Sequence, residues 1–155
     1  MAANKPLISI GMPVYNGEKF LRQALDSLLA QDYRNFELII SDNASTDNTA
    51  DICREYAARD HRIHFHQNDR NRGATYNFSR VRNLASGKYS IWAADHDLWH
   101  PTLITKCVEV LENDPEVVLA YPRGVRIDVA NNPLHLCHNQ IDTRKLSPPD
   151  RFRRI

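Results

Sequence analysis

The chain lacks several features that would place it quickly in a class of protein. Its three cysteines, Cys53, Cys107 and Cys137, are far apart in sequence and odd in number, and they form no Cys-x-x-Cys pair. A disulfide scaffold is therefore excluded, and the pattern is typical of reduced thiols. No apolar run approaches the ~18 residues that a membrane span needs. Residues 1–5 also lack the apolar stretch of a signal peptide. These absences predict a cytoplasmic protein.

An excess of charge of one sign is also missing. The 20 Lys and Arg residues nearly balance the 19 Asp and Glu residues, which leaves a formal net charge of +1. Because no global field attracts nucleic acid, we expect no nucleic-acid partner. The 155 residues, of which 42% are hydrophobic and 25% are charged, are typical of one globular domain with a real core.

What the sequence does contain is a regular alternation of two hydrophobic periods. Short apolar runs predict strands, and stripes spaced by three and four residues predict helices. The predicted strands lie at 7–12, 36–42, 63–67, 89–93 and 117–121. The predicted helices lie at 20–29, 47–58, 74–85 and from Pro101 to the residue before Pro115. This alternation indicates an α/β fold, in which right-handed crossovers produce a mostly parallel sheet flanked by helices.

The pattern changes after the fifth predicted strand. Alternating polarity around a turn at 131–133 predicts a short hairpin with arms at 125–129 and 134–136. Beyond Ile141 the chain is polar and has no periodicity, which is typical of a tail or linker. We therefore expect one domain at 1–140 and a polar tail at 141–155.

Polar residues follow each of the first four strands, at the edge where parallel sheets bind ligands. These four loops are Pro13-Val14-Tyr15-Asn16, Asp42-Asn43-Ala44-Ser45, Asn71-Arg72-Gly73 and Asp95-His96-Asp97. Two carboxylates as close as Asp95 and Asp97 repel each other unless a cation or hydrogen bonds compensate. A hard divalent cation held against a phosphate group would compensate them. The sequence thus predicts a metal and phosphate site at this edge.

Taken together, these loops resemble the N-terminal part of family 2 glycosyltransferases, which have the Rossmann-like GT-A fold. The resemblance runs from about Pro6 to Leu136. Its carriers are Met12–Gly17, Ile40–Thr49, Asn71–Gly73, Arg82–Gly87 and Ala94–Asp97. It implies a metal-dependent, inverting enzyme that takes a sugar from a nucleotide-sugar donor, expected to be a UDP-sugar. The acceptor would be a glycan, a lipid carrier or a protein.

The resemblance also implies roles for residues of the first two loops. Tyr15 would lie against the nucleotide base, an arrangement that suits an aromatic ring. Pro13 and Asn16 belong to the same loop and are included in the donor site. Asp42 would accept a hydrogen bond from a base N–H, most often of uracil. Asp47 would line the pocket.

Three further roles concern the phosphates and the metal. Arg82, on the helix before the fourth strand, would face the nucleotide or its phosphates. Asp95 and Asp97 match the family's Asp-x-Asp motif. Asp97 would be the direct ligand of Mg²⁺ or Mn²⁺, both of which favour oxygen ligands. Asp95 would contact the ribose or a metal-bound water. The metal would act as a Lewis acid on the departing nucleoside diphosphate.

The catalytic base is not identified by the resemblance. Family members supply it as a carboxylate from the second half of the domain, which also binds the acceptor. This chain ends before that segment, so it resembles the nucleotide-binding portion of a truncated domain. Asp128 and Asp142 are candidates for the base by default only.

Two alternatives to an active transferase stay open. The first is a nucleotide-sugar-binding module that is inactive without a C-terminal acceptor segment. The second is a nucleotidyltransferase, which usually carries a Gly-rich loop with a basic residue after its first strand. The sequence at 13–16 argues against that class.

Trp92 is expected in the core, and Trp99 is either a packing residue or a platform for a sugar ring. Further candidate partners are a second copy, joined at an uncovered sheet edge, and the inner membrane face, where lipid-linked acceptors would lie.

Overall fold

The computed structural model describes residues 6–137, which fall into two compact units that divide after Ile104. The predicted tail at 141–155, including Asp142, lies outside the described residues. The strands are β1 (Ile8–Val14), β2 (Phe36–Asp42), β3 (Ile63–Gln67), β4 (Tyr89–Trp92), β5 (Val125–Ile127) and β6 (Pro133–Leu136). The helices are α1 (Glu18–Leu29), α2 (Thr49–Arg59), α3 (Ala74–Leu84) and α4 (Leu103–Asn113). No helix in the described part of the chain is long and apolar enough to cross a membrane.

The first unit contains a four-stranded parallel sheet in the order β3-β2-β1-β4. β1 and β2 are buried almost throughout, as expected for parallel strands covered on both faces. Val14 pairs with Asp42, and Asp42 pairs with Gln67, so the carboxyl ends of these three strands are level. The prediction of a mostly parallel sheet flanked by helices is confirmed.

The apolar stripes of the helices explain how they cover this sheet. In α1, Leu21, Ala24, Leu25 and Leu28 recur at helical spacing and are fully buried. Each buried leucine contributes roughly 2 kcal/mol relative to an exposed one. α3 packs on β1 and β2, and α2 packs on β3 and against α1.

A polar strap joins the strands at the amino-terminal edge of the sheet. The hydroxyl of Ser9 donates to Glu37 Oε1 at 2.6 Å and accepts from the N–H of Gly87 at 2.7 Å. The N–H and hydroxyl of Ser86 also donate to Glu37 Oε1. Burial alone would raise the pKa of Glu37, but the hydrogen bonds from Ser9 and Ser86 outweigh it and lower the pKa.

Pro13 lies within β1 and does not end it, because β1 continues to Val14. A proline is tolerated there for a specific reason. β4 pairs with β1 only as far as Gly11, so the missing N–H of Pro13 leaves no ladder bond to β4 unmade.

Two other predictions about the fold are wrong. Residues 117–121 are not a strand; Val118 is 84% exposed, and within residues 6–137 no strand pairs with this run. Trp92 is 56% exposed at the end of edge strand β4, where its ring meets Phe78 edge-on at 5.7 Å. Trp99, by contrast, is only 9% exposed and is a packing residue.

The second unit contains the predicted hairpin. β5 and β6 pair antiparallel, with Val125 opposite Leu136. Asp128 closes the turn, because its carboxylate accepts hydrogen bonds from the N–H groups of Ala130 and Asn132 and from the amide of Asn132. These bonds lower the pKa of Asp128 and give the residue a structural role in the turn.

Candidate functional site

Backbone hydrogen bonds continue the sheet past its carboxyl ends and gather the predicted loops there. The N–H of Asn43 donates to Val14 O at 2.9 Å, and the N–H of Asn68 donates to Asp42 O at 2.8 Å. On the other side, the N–H of Ala93 donates to Gly11 O at 2.9 Å. The segments that follow β1, β2, β3 and β4 therefore leave the sheet at one edge.

The loops after β1 and β2 are joined through Asn16. Its N–H donates to Ser45 Oγ at 2.9 Å, and its side-chain oxygen accepts from the N–H of Thr46 at 2.9 Å. Asn16 has a φ of 52°, a left-handed conformation that asparagine tolerates better than most residues. The neighbouring Tyr15 is 47% exposed, so its ring is accessible to a ligand.

Asp95 lies directly against the loop after β1. A Cβ atom added to Gly17 would come within 2.0 Å of Asp95 Oδ2, so only a glycine leaves room for this carboxylate. The Asp95 side chain is largely shielded, and its Oδ1 lies 2.7 Å from His96 Nδ1. Asp97, two residues on, is exposed. The structure thus brings Asp95 together with the loop that carries Tyr15.

The acidic pair is compatible with a hard divalent cation but does not form a complete cage. Within the described residues, no group of three or more His, Cys, Asp or Glu side chains is arranged to hold a metal ion. Asp95 and Asp97 offer oxygen donors, which Mg²⁺ and Mn²⁺ prefer. Mg²⁺ is commonly held by one or two carboxylates, with waters and substrate phosphates as the other ligands. The donor set therefore fits such a metal.

Asp42 is completely buried and acts within its own loop. Its Oδ1 accepts hydrogen bonds from the N–H and the hydroxyl of Ser45, and its Oδ2 accepts from the Gln67 amide at 2.9 Å. These bonds fix the turn after β2 and connect it to the end of β3. In this arrangement, the carboxylate has no exposed surface for a ligand.

Asp47 joins the starts of two helices. Its Oδ1 accepts from the N–H of Thr49 at 3.0 Å, and its Oδ2 accepts from the N–H of Glu18 at 3.2 Å. Burial alone would raise the pKa of Asp47, but the hydrogen bonds from Thr49 and Glu18 outweigh it and lower the pKa. Free N–H groups at a helix start are stabilised by such an acceptor. Asp47 therefore accepts a hydrogen bond from the first residue of α1 and from the first residue of α2.

Arg82 is not brought together with the four loops. It lies near the end of α3 and lines a small cavity of about 100 Å³ with Ser9, Ser90 and Trp92. α3 begins near the carboxyl ends of β1 and β2, where Asn77 bonds to Val14 O and Ser41 O. The N–H of Ser86, just beyond the end of α3, bonds to Glu37 at the amino edge.

The segment that follows Asp97 is anchored to the end of α1. Gln31 is fully buried; its amide donates to His100 O at 2.8 Å, and its oxygen accepts from the N–H of Ile104 at 3.2 Å. The N–H of Trp99 donates to Ser27 Oγ at 3.1 Å. The acidic loop is therefore held at both ends, by the bond from Ala93 and by these bonds to α1.

Comparison with known proteins agrees with this geometry. The model of the family described as "Glycosyl transferase family 2" matches residues 9–154. The chain belongs to glycosyl transferase family 2. An uncharacterized glycosyltransferase of Rickettsia typhi is 34% identical over 131 residues, covering 84% of this chain and 40% of that protein. An uncharacterized glycosyltransferase of Methanocaldococcus jannaschii is 32% identical over 131 residues, covering 83% of this chain and 45% of that protein. The chain thus spans less than half the length of these relatives.

Solved structures confirm the GT-A fold expected of a family 2 chain. Staphylococcus aureus TarS 1-349, in complex with UDP-GlcNAc, superposes with a TM-score of 0.64 at 24% identity, covering 68% of this chain and 31% of that one. The mannosyltransferase PcManGT of Pyrobaculum calidifontis, in complex with GDP-Man and Mn²⁺, gives a TM-score of 0.67 at 24% identity, covering 74% of this chain and 34% of that one. At this identity the likeness establishes the fold alone.

The sequence predicted no individual role for several residues that hold these loops in place. They are Gly17, Gln31, Asn43, Asn68 and Asn77. One signal was available for Asn77, which precedes the buried Val81 by one helical turn and so lies on the apolar face of α3. A polar residue with low helix propensity in that place indicates a specific hydrogen-bonding role.

Proposed function

We propose that this chain forms the donor-binding part of a metal-dependent, inverting glycosyltransferase that uses a nucleotide sugar, with a UDP-sugar as the expected donor. The acceptor class, whether glycan, lipid carrier or protein, stays open. One observation carries the proposal. In a family 2 chain, the Asp95 carboxylate packs on Gly17, so the acidic pair and the exposed Tyr15 share one edge of the sheet.

In this proposal the first two loops hold the nucleotide base. The exposed Tyr15 ring offers a stacking surface at the carboxyl end of β1. Asn16 shapes that loop through its bonds to Ser45 and Thr46, and Pro13 lies just before the loop within β1. Asp42 would accept a base N–H only after its bond to Gln67 or Ser45 has rearranged.

The acidic pair would hold Mg²⁺ or Mn²⁺. Asp97 is the direct ligand in this proposal because its carboxylate is exposed, and the shielded Asp95 contacts the ribose or a metal-bound water. When bound, the metal would supply positive charge to the leaving diphosphate. The similar PcManGT structure contains GDP-Man and Mn²⁺, which supports a divalent ion in this proposal. Arg82, in the last turn of α3, stays a predicted phosphate contact.

The test is a calorimetric titration of UDP into the chain with and without Mn²⁺. We expect metal-dependent binding that Asp97→Ala abolishes and Glu55→Ala leaves unchanged, because Glu55 lies in the middle of α2 and pairs with Arg22. Binding of GDP without binding of UDP would contradict the base assignment. Failure of both nucleotides, with and without Mn²⁺, would contradict the proposed donor site.

A second candidate is a binding module that is inactive by itself, and one observation favours it. Asp128, the default candidate for the catalytic base within residues 6–137, already accepts three hydrogen bonds that close its hairpin turn. Measuring UDP release from UDP-GlcNAc separates the two candidates. Release with a glycan acceptor supports the complete transferase. Binding without release supports the module.

A further inference from the structure

Asn77 is a polar side chain that is only 3% exposed, on the face of α3 that meets the sheet. Its amide nitrogen donates to Ser41 O at 2.7 Å and to Val14 O at 3.4 Å. Its oxygen accepts from Ser41 Oγ at 2.7 Å and from the Asn68 amide at 3.2 Å. Because two carbonyls face its nitrogen, the orientation of this amide is fixed by its surroundings.

The partners of Asn77 share a position at the carboxyl ends of three strands. Val14 is the residue before Tyr15, Ser41 is the residue before Asp42, and Asn68 follows β3 directly. One side chain therefore connects the points at which β1 and β2 give way to the two proposed base-binding loops.

A chain of asparagine amides extends this connection to the third loop. Asn68 donates to Asn43 Oδ1 at 2.9 Å, and Asn43 donates to Asn71 Oδ1 at 2.8 Å. The N–H of Arg72 also donates to Asn43 Oδ1, at 2.9 Å. Within residues 6–137, every buried side-chain nitrogen and oxygen has a partner, so the network is complete.

We infer that Asn77 is a positioning residue that fixes the loops after β1 and β2 in the arrangement that binds the donor nucleotide. This inference rests on the proposed function. Asn77 is buried behind the loops and acts through Val14 and Ser41, without touching a ligand. If losing it leaves the loops correctly placed for only a tenth of the time, the apparent dissociation constant rises tenfold.

The Ser9 strap offers a matched control within the same chain. It is also a buried polar side chain that joins β1 to β2, through Glu37, but it lies at the opposite edge of the sheet. If Asn77 only stabilised the fold, removing the bonds of Asn77 or those of Ser9 would lower stability, and both changes would have the same effect on nucleotide binding. A positioning role separates the two.

The experiment compares Asn77→Asp, Ser41→Ala and Ser9→Ala with the wild type. Asn77→Asp keeps the shape of the side chain but removes both donated bonds. We expect it to weaken Mn²⁺-dependent UDP binding about tenfold, Ser41→Ala to weaken it about threefold, and Ser9→Ala to change it by less than about twofold. If Asn77→Asp does not fold, Ser41→Ala against Ser9→Ala decides the matter, since Ser41→Ala loses only one bond to Asn77.

Hydrogen exchange of the same proteins gives a readout that needs no nucleotide. Asn77→Asp should speed exchange at the N–H groups of Asn43 and Asn68, whereas Ser9→Ala should speed exchange at Ser86 and Gly87. Equal exchange at Asn43 and Asn68 in all variants would overturn the inference, and so would equal UDP affinity. If the wild type binds no nucleotide, the proposed function is contradicted. Unchanged exchange at Asn43 and Asn68 in Asn77→Asp would separately contradict the positioning role of Asn77.

Discussion

Gly17→Ala tests whether Asp95 lies where the structure places it. The new Cβ would be 2.0 Å from Asp95 Oδ2 and 2.9 Å from Val14 Cγ2, whereas real Cβ contacts essentially never fall below 3.0 Å. The Asp95 carboxylate must therefore move by about 1 Å or more. The backbone adds no strain of its own, because Gly17 has a φ of −99°, which alanine adopts readily.

The magnitudes of two opposing effects decide the sign for stability. Replacing glycine by alanine at a compatible φ stabilises a protein by about 0.4–1 kcal/mol through the unfolded state. Overpacking a filled site costs about 1–3 kcal/mol. We therefore expect a net loss of about 1 kcal/mol in urea unfolding. Because a displacement of about 1 Å in a positioned group can cost about a hundredfold, we expect a far larger effect on Mn²⁺-dependent UDP binding.

A double-mutant cycle with Asp95→Ala provides the control. If the clash is with Asp95, Gly17→Ala should cost much less stability in the Asp95→Ala background than in the wild type. An unchanged unfolding free energy together with an unchanged UDP affinity in Gly17→Ala would refute the reasoning, since Asp95 would then not lie against the loop.

Two further predictions concern the straps that hold the sheet and the acidic loop. Gln31→Leu should lower the free energy of unfolding by about 2 kcal/mol, because the buried N–H of Ile104 loses its acceptor and the carbonyl oxygen of His100 loses its donor. A loss below about 0.5 kcal/mol in urea unfolding would contradict this role. The folded-state pKa of Glu37 lies below its ordinary value of 4.5, so its ionised form stabilises the fold above that pH and this contribution is lost as the pH falls. The stability difference between the wild type and Glu37→Gln, measured by unfolding at pH 7 and at pH 3.5, should therefore narrow at the lower pH, and a constant difference would contradict the assignment.

The architecture of the first unit could be predicted because its strands and helices differ in hydrophobic periodicity: the strands are short apolar runs, and the helices have apolar residues spaced by three and four. Parallel pairing then follows from the alternation of strands and helices, and it places the polar residues after β1, β2, β3 and β4 at one edge. This is why the neighbourhood of Tyr15 and Asp95 was predictable without coordinates.

Pairing partners, by contrast, are not visible in a local pattern. Residues 117–121 have the β-rich composition of a strand, yet a strand also needs a neighbour, and none pairs with this run in the described chain. Trp92, which lies within an apolar run, was expected in the core. Its exposure follows from the place of β4 at the edge of the described sheet, which only the topology reveals.

The roles of acidic residues were equally hidden, because sequence does not show which carboxylates already accept hydrogen bonds. Asp42 and Asp47 look like ligand contacts in the motif, but both accept bonds from their own and neighbouring loops. Such bonds make each residue part of the framework. Replacing either residue would therefore disturb the loops as well as any contact with a ligand, so a loss of binding could not be assigned to the contact alone.

Asp97 differs from these carboxylates in a way that decides how the site should be tested. Asp42 is fully buried, Asp47 accepts hydrogen bonds from the first residues of two helices, and Asp95 is packed on Gly17, whereas Asp97 is exposed. Substituting an exposed residue typically changes stability by less than about 0.5 kcal/mol. A loss of Mn²⁺-dependent binding in Asp97→Ala can therefore be attributed to the missing carboxylate itself. The acidic motif thus contains one carboxylate that the fold holds in place and one that stays free to bind.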